Sequence, residues 1–119
     1  MKRSTTPKLQ LRVKLNAVAA FGPGKAELLS HIAATGSISA AARAMRMSYK
    51  RAWQLVDDMN HAFRSPVVTT AAGGSQGGGA VLTPVGKRVL VAYRSLHASA
   101  NSAGKRELNA LARLARRDS

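Results

Sequence analysis

The sequence predicts a mostly α-helical domain carrying one small β-hairpin, and three observations lead there. Apolar residues recur at helical spacing from about residue 23 to residue 63, with capping residues at each interruption. The run TTAAGGSQGGGAVLT at 69–83 places five of the chain's ten glycines within seven positions, between two β-prone segments. A length of 119 residues with 45% hydrophobic content supports one small core and no second one.

Residues 1–8 read as a basic, flexible tail. Leu9-Gln10-Leu11-Arg12-Val13-Lys14-Leu15 then alternates apolar and polar side chains, the pattern of a half-buried strand. Gly22-Pro23-Gly24 breaks the chain. Ala26, Leu28, Leu29, Ile32 and Ala33 define a helix over about 23–35, with Gly36 as its C-terminal cap. Ser37 can cap a short alanine-rich second helix ending near Met45, because its hydroxyl accepts from free N–H groups of the first turn. Ser48 caps a third. On that helix Tyr49, Ala52, Trp53, Val56, Met59 and Phe63 share one side, while Lys50, Arg51, Gln54, Asp57, Asp58 and His61 occupy the other. This wheel places Trp53 in the core, where truncation to alanine would cost about 3–5 kcal/mol if the indole were fully buried.

Nineteen Lys and Arg against five Asp and Glu give a formal charge of +14, a field that concentrates polyanions. Two short helices joined by a tight turn, the second beginning with cations and an amide, are the parts of a helix-turn-helix reader of duplex DNA. Small residues Ala41, Ala42 and Ala44 suit the close crossing of the first helix over the second. Lys50 and Arg51 have the chemistry for guanine or phosphate, and Gln54 that for adenine. Arg46, in the turn between the two helices, is a further candidate contact.

The glycine run raises two readings, a phosphate cradle or a hairpin tip. A Walker-type loop needs a Gly-Lys-Ser/Thr ending that opens a helix, yet no lysine lies between Arg64 and Lys87 and Gly79 leads into Ala80-Val81-Leu82-Thr83. Val67-Val68-Thr69-Thr70 and Ala80–Thr83 therefore form a hairpin, a wing whose bare tip can follow the sugar-phosphate backbone or the edge of the minor groove. Ser75, Gln76 and Gly77 are its candidate contacts. Thr83-Pro84 starts a further helix, in which Val85, Val89, Ala92 and Leu96 form a stripe resumed by Leu108, Leu111 and Leu114 after a bend or break near Gly104. The expected organisation is a winged helix-turn-helix domain over 9–83, with the helix-turn-helix at 37–64 and the wing at 67–83, and a long C-terminal dimerisation helix over 84–119.

Residues 9–97 resemble the N-terminal DNA-binding domain of the molybdate-responsive ModE-type regulators. The resemblance rests on Gly36-Ser37-Ile38-Ser39 with Ala41-Ala42, on Ser48-Tyr49-Lys50-Arg51-Ala52-Trp53, and on the Gly73-Gly74 to Gly77-Gly78-Gly79 wing with Ala80-Val81-Leu82-Thr83 and Gly86. The helix-turn-helix by itself is also similar to the LysR-type regulators. The likeness implies a homodimeric winged-helix transcription regulator, with Ser39, Ser48, Tyr49, Lys50 and Gln54 at or beside DNA and Trp53 buttressing the recognition helix from behind. No Ser-Ala-Arg-Asn-type segment follows Ala112, so a molybdate-sensing domain is not expected, and control would come through expression level, a partner chain or another effector.

Other classes fit less well. No apolar stretch approaches the roughly 18 residues of a membrane span, and Arg12 and Lys14 interrupt any signal-peptide core. The absence of cysteine removes disulfides, thiolate metal sites and thiol nucleophiles, which suits the cytoplasm. His31, His61 and His97 stand 30 and 36 residues apart, without metal-ligand spacing, and adjacent Asp57 and Asp58 diverge around a helix. Neither an enzyme nor a cofactor is expected. The rival is a nucleoid-associated or RNA-binding protein held by charge alone.

Overall fold

The structure is a computed structural model that describes residues 7–71 and 79–116. Its elements in chain order are β1 (Val13–Lys14), β2 (Ala20–Phe21), α1 (Pro23–Thr35), α2 (Ile38–Ala44), α3 (Tyr49–Ala62), β3 (Val68–Thr70), β4 (Ala80–Leu82), α4 (Pro84–Ala103) and α5 (Lys105–Leu114). The fold is mostly α, with two small antiparallel hairpins, β1–β2 and β3–β4.

Local chemistry sets the helix boundaries. Pro23 opens α1 and Gly36 closes it at φ 69°, its N–H donating to the Ile32 carbonyl at 2.8 Å. Ser37 Oγ accepts from the Ala40 N–H at 3.0 Å, Ser48 Oγ from Arg51 at 3.0 Å, and Thr83 Oγ1 from Gly86 at 2.9 Å. Between α2 and α3 the chain turns through Arg46 at φ 56°, the non-glycine residue with positive φ among those described. The turn still satisfies its backbone, since Arg46 N–H donates to Arg43 and Met47 N–H to Ala42.

The core lies where α1, α2 and α3 meet the wing. Leu28, Leu29 and Ile32 from α1, Val56 and Met59 from α3, and Val67 beside the wing are its largest fully buried side chains. Ala41 and Ala42 on α2 and Ala52 on α3 are buried in the same cluster, so small side chains permit the close crossing. Ala44 departs from the sequence-based expectation: it faces solvent, because at about 100° per residue it lies off the face on which Ile38, Ala41, Ala42 and Met45 meet the core.

The N-terminal segment differs in part from the strand predicted over 9–15. Leu9, Leu11 and Val13 are half-buried while Gln10, Arg12 and Lys14 are exposed, so the alternation holds as far as Lys14, but Leu15 is exposed as well. Ladder pairing is confined to Val13 with Phe21 and Lys14 with Ala20. The preceding residues are strapped to α4 by side chains: Tyr93 Oη donates to the Leu11 carbonyl at 2.7 Å and His97 Nε2 meets the Leu9 carbonyl at 2.6 Å. Phe21, on the unforeseen strand β2, packs edge-on against Phe63 and Tyr93, with centroids at 6.0 and 5.2 Å.

The C-terminal stripe divides. Gly86 and Leu90 of α4 are buried, and Val85, Val89 and Tyr93 pack on the core. Beyond Gly104, where the helix breaks, α5 buries no residue: Leu111 is 57% exposed and Leu114 82%. The chain is accordingly elongated, 54 × 35 × 22 Å with a radius of gyration of 17.1 Å, against about 13.5 Å for a compact domain of this length.

Candidate nucleic-acid interface

The cap at Ser48 determines where α3 begins, and thereby which side chains its first two turns present. Tyr49, Lys50, Arg51, Trp53 and Gln54 are exposed there, with no acidic residue in the first turn. The helix N-terminus and its unneutralised cations make this end attractive to polyanions. Asp57 and Asp58 follow on exposed positions from the third turn and limit how far along α3 an anionic backbone can be followed. Exposed Arg43 and Arg46, from α2 and the turn, extend the basic surface, and Arg43 Nη1 donates to Ser39 Oγ at 3.2 Å. Of the sequence-selected residues, Ser39, Arg46, Ser48, Tyr49, Lys50, Arg51 and Gln54 are all solvent-accessible on α2, the turn and α3. Ser75, Gln76 and Gly77, at the wing tip, lie outside the described residues.

Trp53 requires a correction. It is 36% exposed and does not belong to the buried core, and Tyr49, 55% exposed, stands beside it with ring centroids 6.3 Å apart. The physical reason is the narrowness of the buried stripe: Ala52, Val56 and Met59 already fill the face of α3 that meets α1 and α2. Residues at the stripe's edge are left outside. The cost of Trp53→Ala therefore falls below the roughly 3–5 kcal/mol of a fully buried aromatic.

The wing is positioned from two sides by residues that sequence reasoning missed. Asn60 on α3 accepts through Oδ1 from the Val67 and Val68 N–H groups at 2.8 and 3.1 Å, and donates through Nδ2 to the Val68 carbonyl at 3.1 Å. On the other strand, Ala80 N–H donates to the Gly36 carbonyl at 2.9 Å, so the C-terminal cap of α1 doubles as a docking point for β4. The two strands pair in the register Val68–Leu82, Thr69–Val81 and Thr70–Ala80. An asparagine amide satisfies donors and acceptors together, but nothing in a sequence distinguishes this Asn from a solvated one.

At the far end of α3, His61 Nδ1 lies 2.8 Å from the Asp57 carbonyl and 3.6 Å from its carboxylate. The backbone hydrogen bond first, and then the Asp57 charge, raise its pKa above the ordinary 6.5. The small stabilisation this gives is complete below 6.5 and fades as pH rises through the raised value. Among the described residues no group of three His, Cys, Asp or Glu could hold a metal ion, and no helix is long and apolar enough to cross a membrane.

A three-helix core, a helix with a cationic start exposed at its surface and a β-hairpin docked beside it define a winged helix-turn-helix protein. The chain belongs to the bacterial regulatory helix-turn-helix proteins of the lysR family, whose pattern matches residues 24–87. It is similar to the molybdenum-pterin-binding protein MopB of Rhodobacter capsulatus, 51% identical over 80 residues, which are 67% of this chain and 30% of that protein. It is likewise similar to the molybdenum transport protein ModE of Azotobacter vinelandii, 42% identical over 84 residues, 71% of this chain and 31% of the relative. The DNA-binding transcriptional dual regulator ModE of Escherichia coli (strain K12) is 42% identical over 83 residues, 70% and 32% of the two chains. The matched region thus spans about a third of the length of these curated relatives.

Proposed function

We propose that the chain is a sequence-specific, double-stranded DNA-binding transcription regulator that works as a homodimer. The observation that carries the reading is the first two turns of α3, which leave Lys50, Arg51 and Gln54 exposed and contain no acidic residue. A helix of 14 residues, about 21 Å long, fits the major groove, with its N-terminal residues at the base edges. Gln54 would read a base, Lys50 and Arg51 would pair with guanine or phosphate, and Ser39, Arg46, Ser48 and Tyr49 would lie at or beside the DNA. The wing, with Ser75, Gln76 and Gly77 at its tip, would follow the sugar-phosphate edge. The family match and the DNA-binding relative support the same reading.

Selection of bound fragments from random and genomic duplex, followed by affinity measurements across salt concentrations, tests it. One or a few preferred sites should emerge and persist as salt rises. Gln54→Ala is expected to lose about 1–3 kcal/mol on the preferred site through relaxed choice at one base pair. Lys50→Ala serves as a comparison for loss spread across sequences if that side chain meets phosphate. Nearly uniform affinities across duplexes, matched on RNA, would instead establish charge-driven association.

The dimer reading rests on α5. Its Leu111 and Leu114 face solvent, and an open groove between residues 7–10, α1, α4 and α5 is lined by Leu9, Tyr93 and Leu108 among others. A second copy can cover both features under two-fold symmetry, so that residues of each chain meet their counterparts. Sedimentation should give twice the chain mass, and joint Leu111→Ser and Leu114→Ser replacement should shift it to the monomer. An unchanged sedimentation coefficient in the double variant would place the interface elsewhere.

A further inference from the structure

The exposed aromatic pair on α3 is not explained by folding. Tyr49 and Trp53 stand four residues apart, so they are neighbours on the helix surface, and their rings meet edge to face at 81°. Each is preceded or followed by the polar groups already assigned to recognition: Lys50 sits one step around the helix from Tyr49, and Gln54 one step from Trp53. At about 100° per residue, Asn60 falls on the same flank as the two rings. Since Asn60 is hydrogen-bonded to Val67 and Val68, the aromatic flank is the side of α3 turned toward the wing.

We propose that Tyr49 and Trp53 together form an apolar reading ledge that contacts thymine 5-methyl groups in the major groove. The methyl is the apolar feature by which that groove distinguishes thymine, and it is met by apolar contact, not by a hydrogen bond. Lys50 and Gln54, on the adjoining ridge, read hydrogen-bonding edges, while the rings read methyls one step away. Two rings braced edge to face lose little freedom on binding, because each has only two side-chain torsions and the partner restricts them. The surrounding positive charge brings the duplex to a surface whose apolar rings would otherwise remain in contact with water.

The inference rests on α3 being the element that reads DNA, and the experiment separates the two. The selected duplex is remade with deoxyuridine replacing each thymine in turn, which deletes a methyl and leaves base pairing intact. Wild-type affinity should fall about three- to fourfold at one or two positions, the loss of one methyl contact. Trp53→Ala or Tyr49→Ala should abolish the penalty at those positions, leaving less than about a twofold effect in the double comparison. Trp53 is the only tryptophan, so its fluorescence should also change on binding the duplex. If a site is selected yet wild type tolerates uridine everywhere, or the variants keep its penalty, the ledge is refuted and the regulator reading stands. If no duplex is preferred over random sequence, both fail. The uridine series on wild type requires no variant to fold.

Discussion

Gly86→Ala is expected to destabilise the protein by about 3 kcal/mol or more, the upper end of the overpacking range. A Cβ at this position would stand 2.1 Å from the Val67 carbonyl oxygen and 2.9 Å from its carbon. That peptide has little room to retreat. Its carbonyl accepts from Thr83 N–H at 3.0 Å, and its N–H, that of Val68, donates to Asn60 Oδ1 at 3.1 Å. Moving it would therefore release the wing from α3 and disturb the start of α4 together. The effect comes from close approach of two backbones, since Gly86 carries no positive φ. Denaturant titration should show a lower midpoint with an unchanged slope. Gly24→Ala is the control: nothing lies within 4 Å of its Cβ, and the midpoint should stay level or rise slightly. Equal losses for both variants would contradict the packing account.

Asn60→Leu should cost about 2–5 kcal/mol, because it retains volume while removing the acceptor of two N–H groups and the donor to one carbonyl. Val67 and Val68 are buried, and a buried donor stripped of its partner costs roughly 1–3 kcal/mol. The damage should be local before it is global. Amide exchange at Val67 and Val68 should accelerate far more than at Leu28 or Ile32 in the core, and DNA affinity should fall because the wing no longer holds a fixed angle to α3. Unaltered exchange at those two amides would show that water or another group replaces the side chain.

These two positions mark where sequence reasoning stops. Caps at Ser37, Ser48 and Thr83 were legible because each acts on N–H groups two or three residues ahead, and the Gly36 cap because left-handed backbone favours glycine. The wing was legible as a hairpin from turn and strand composition. Its anchoring was not, since Asn60 reaches 7 and 8 residues along the chain and Gly36 meets Ala80 across the fold. Strand β2 escaped because two residues are too few for periodicity to register. Trp53 was misplaced for a related reason: a helical wheel ranks residues by angle, whereas burial depends on how wide a surface the neighbouring helices cover.

By itself the sequence determined the basic character of the molecule, the order and ends of its main helices and the chemistry displayed at the start of α3. Each of these follows from composition or from interactions spanning a few residues. Tertiary structure alone decided that Trp53 lies outside, that Asn60 and Gly36 hold the wing, and that α4 supports the core while α5 projects from it. Those outcomes depend on which surfaces meet across long sequence separations, and packing geometry settles them, not local preference.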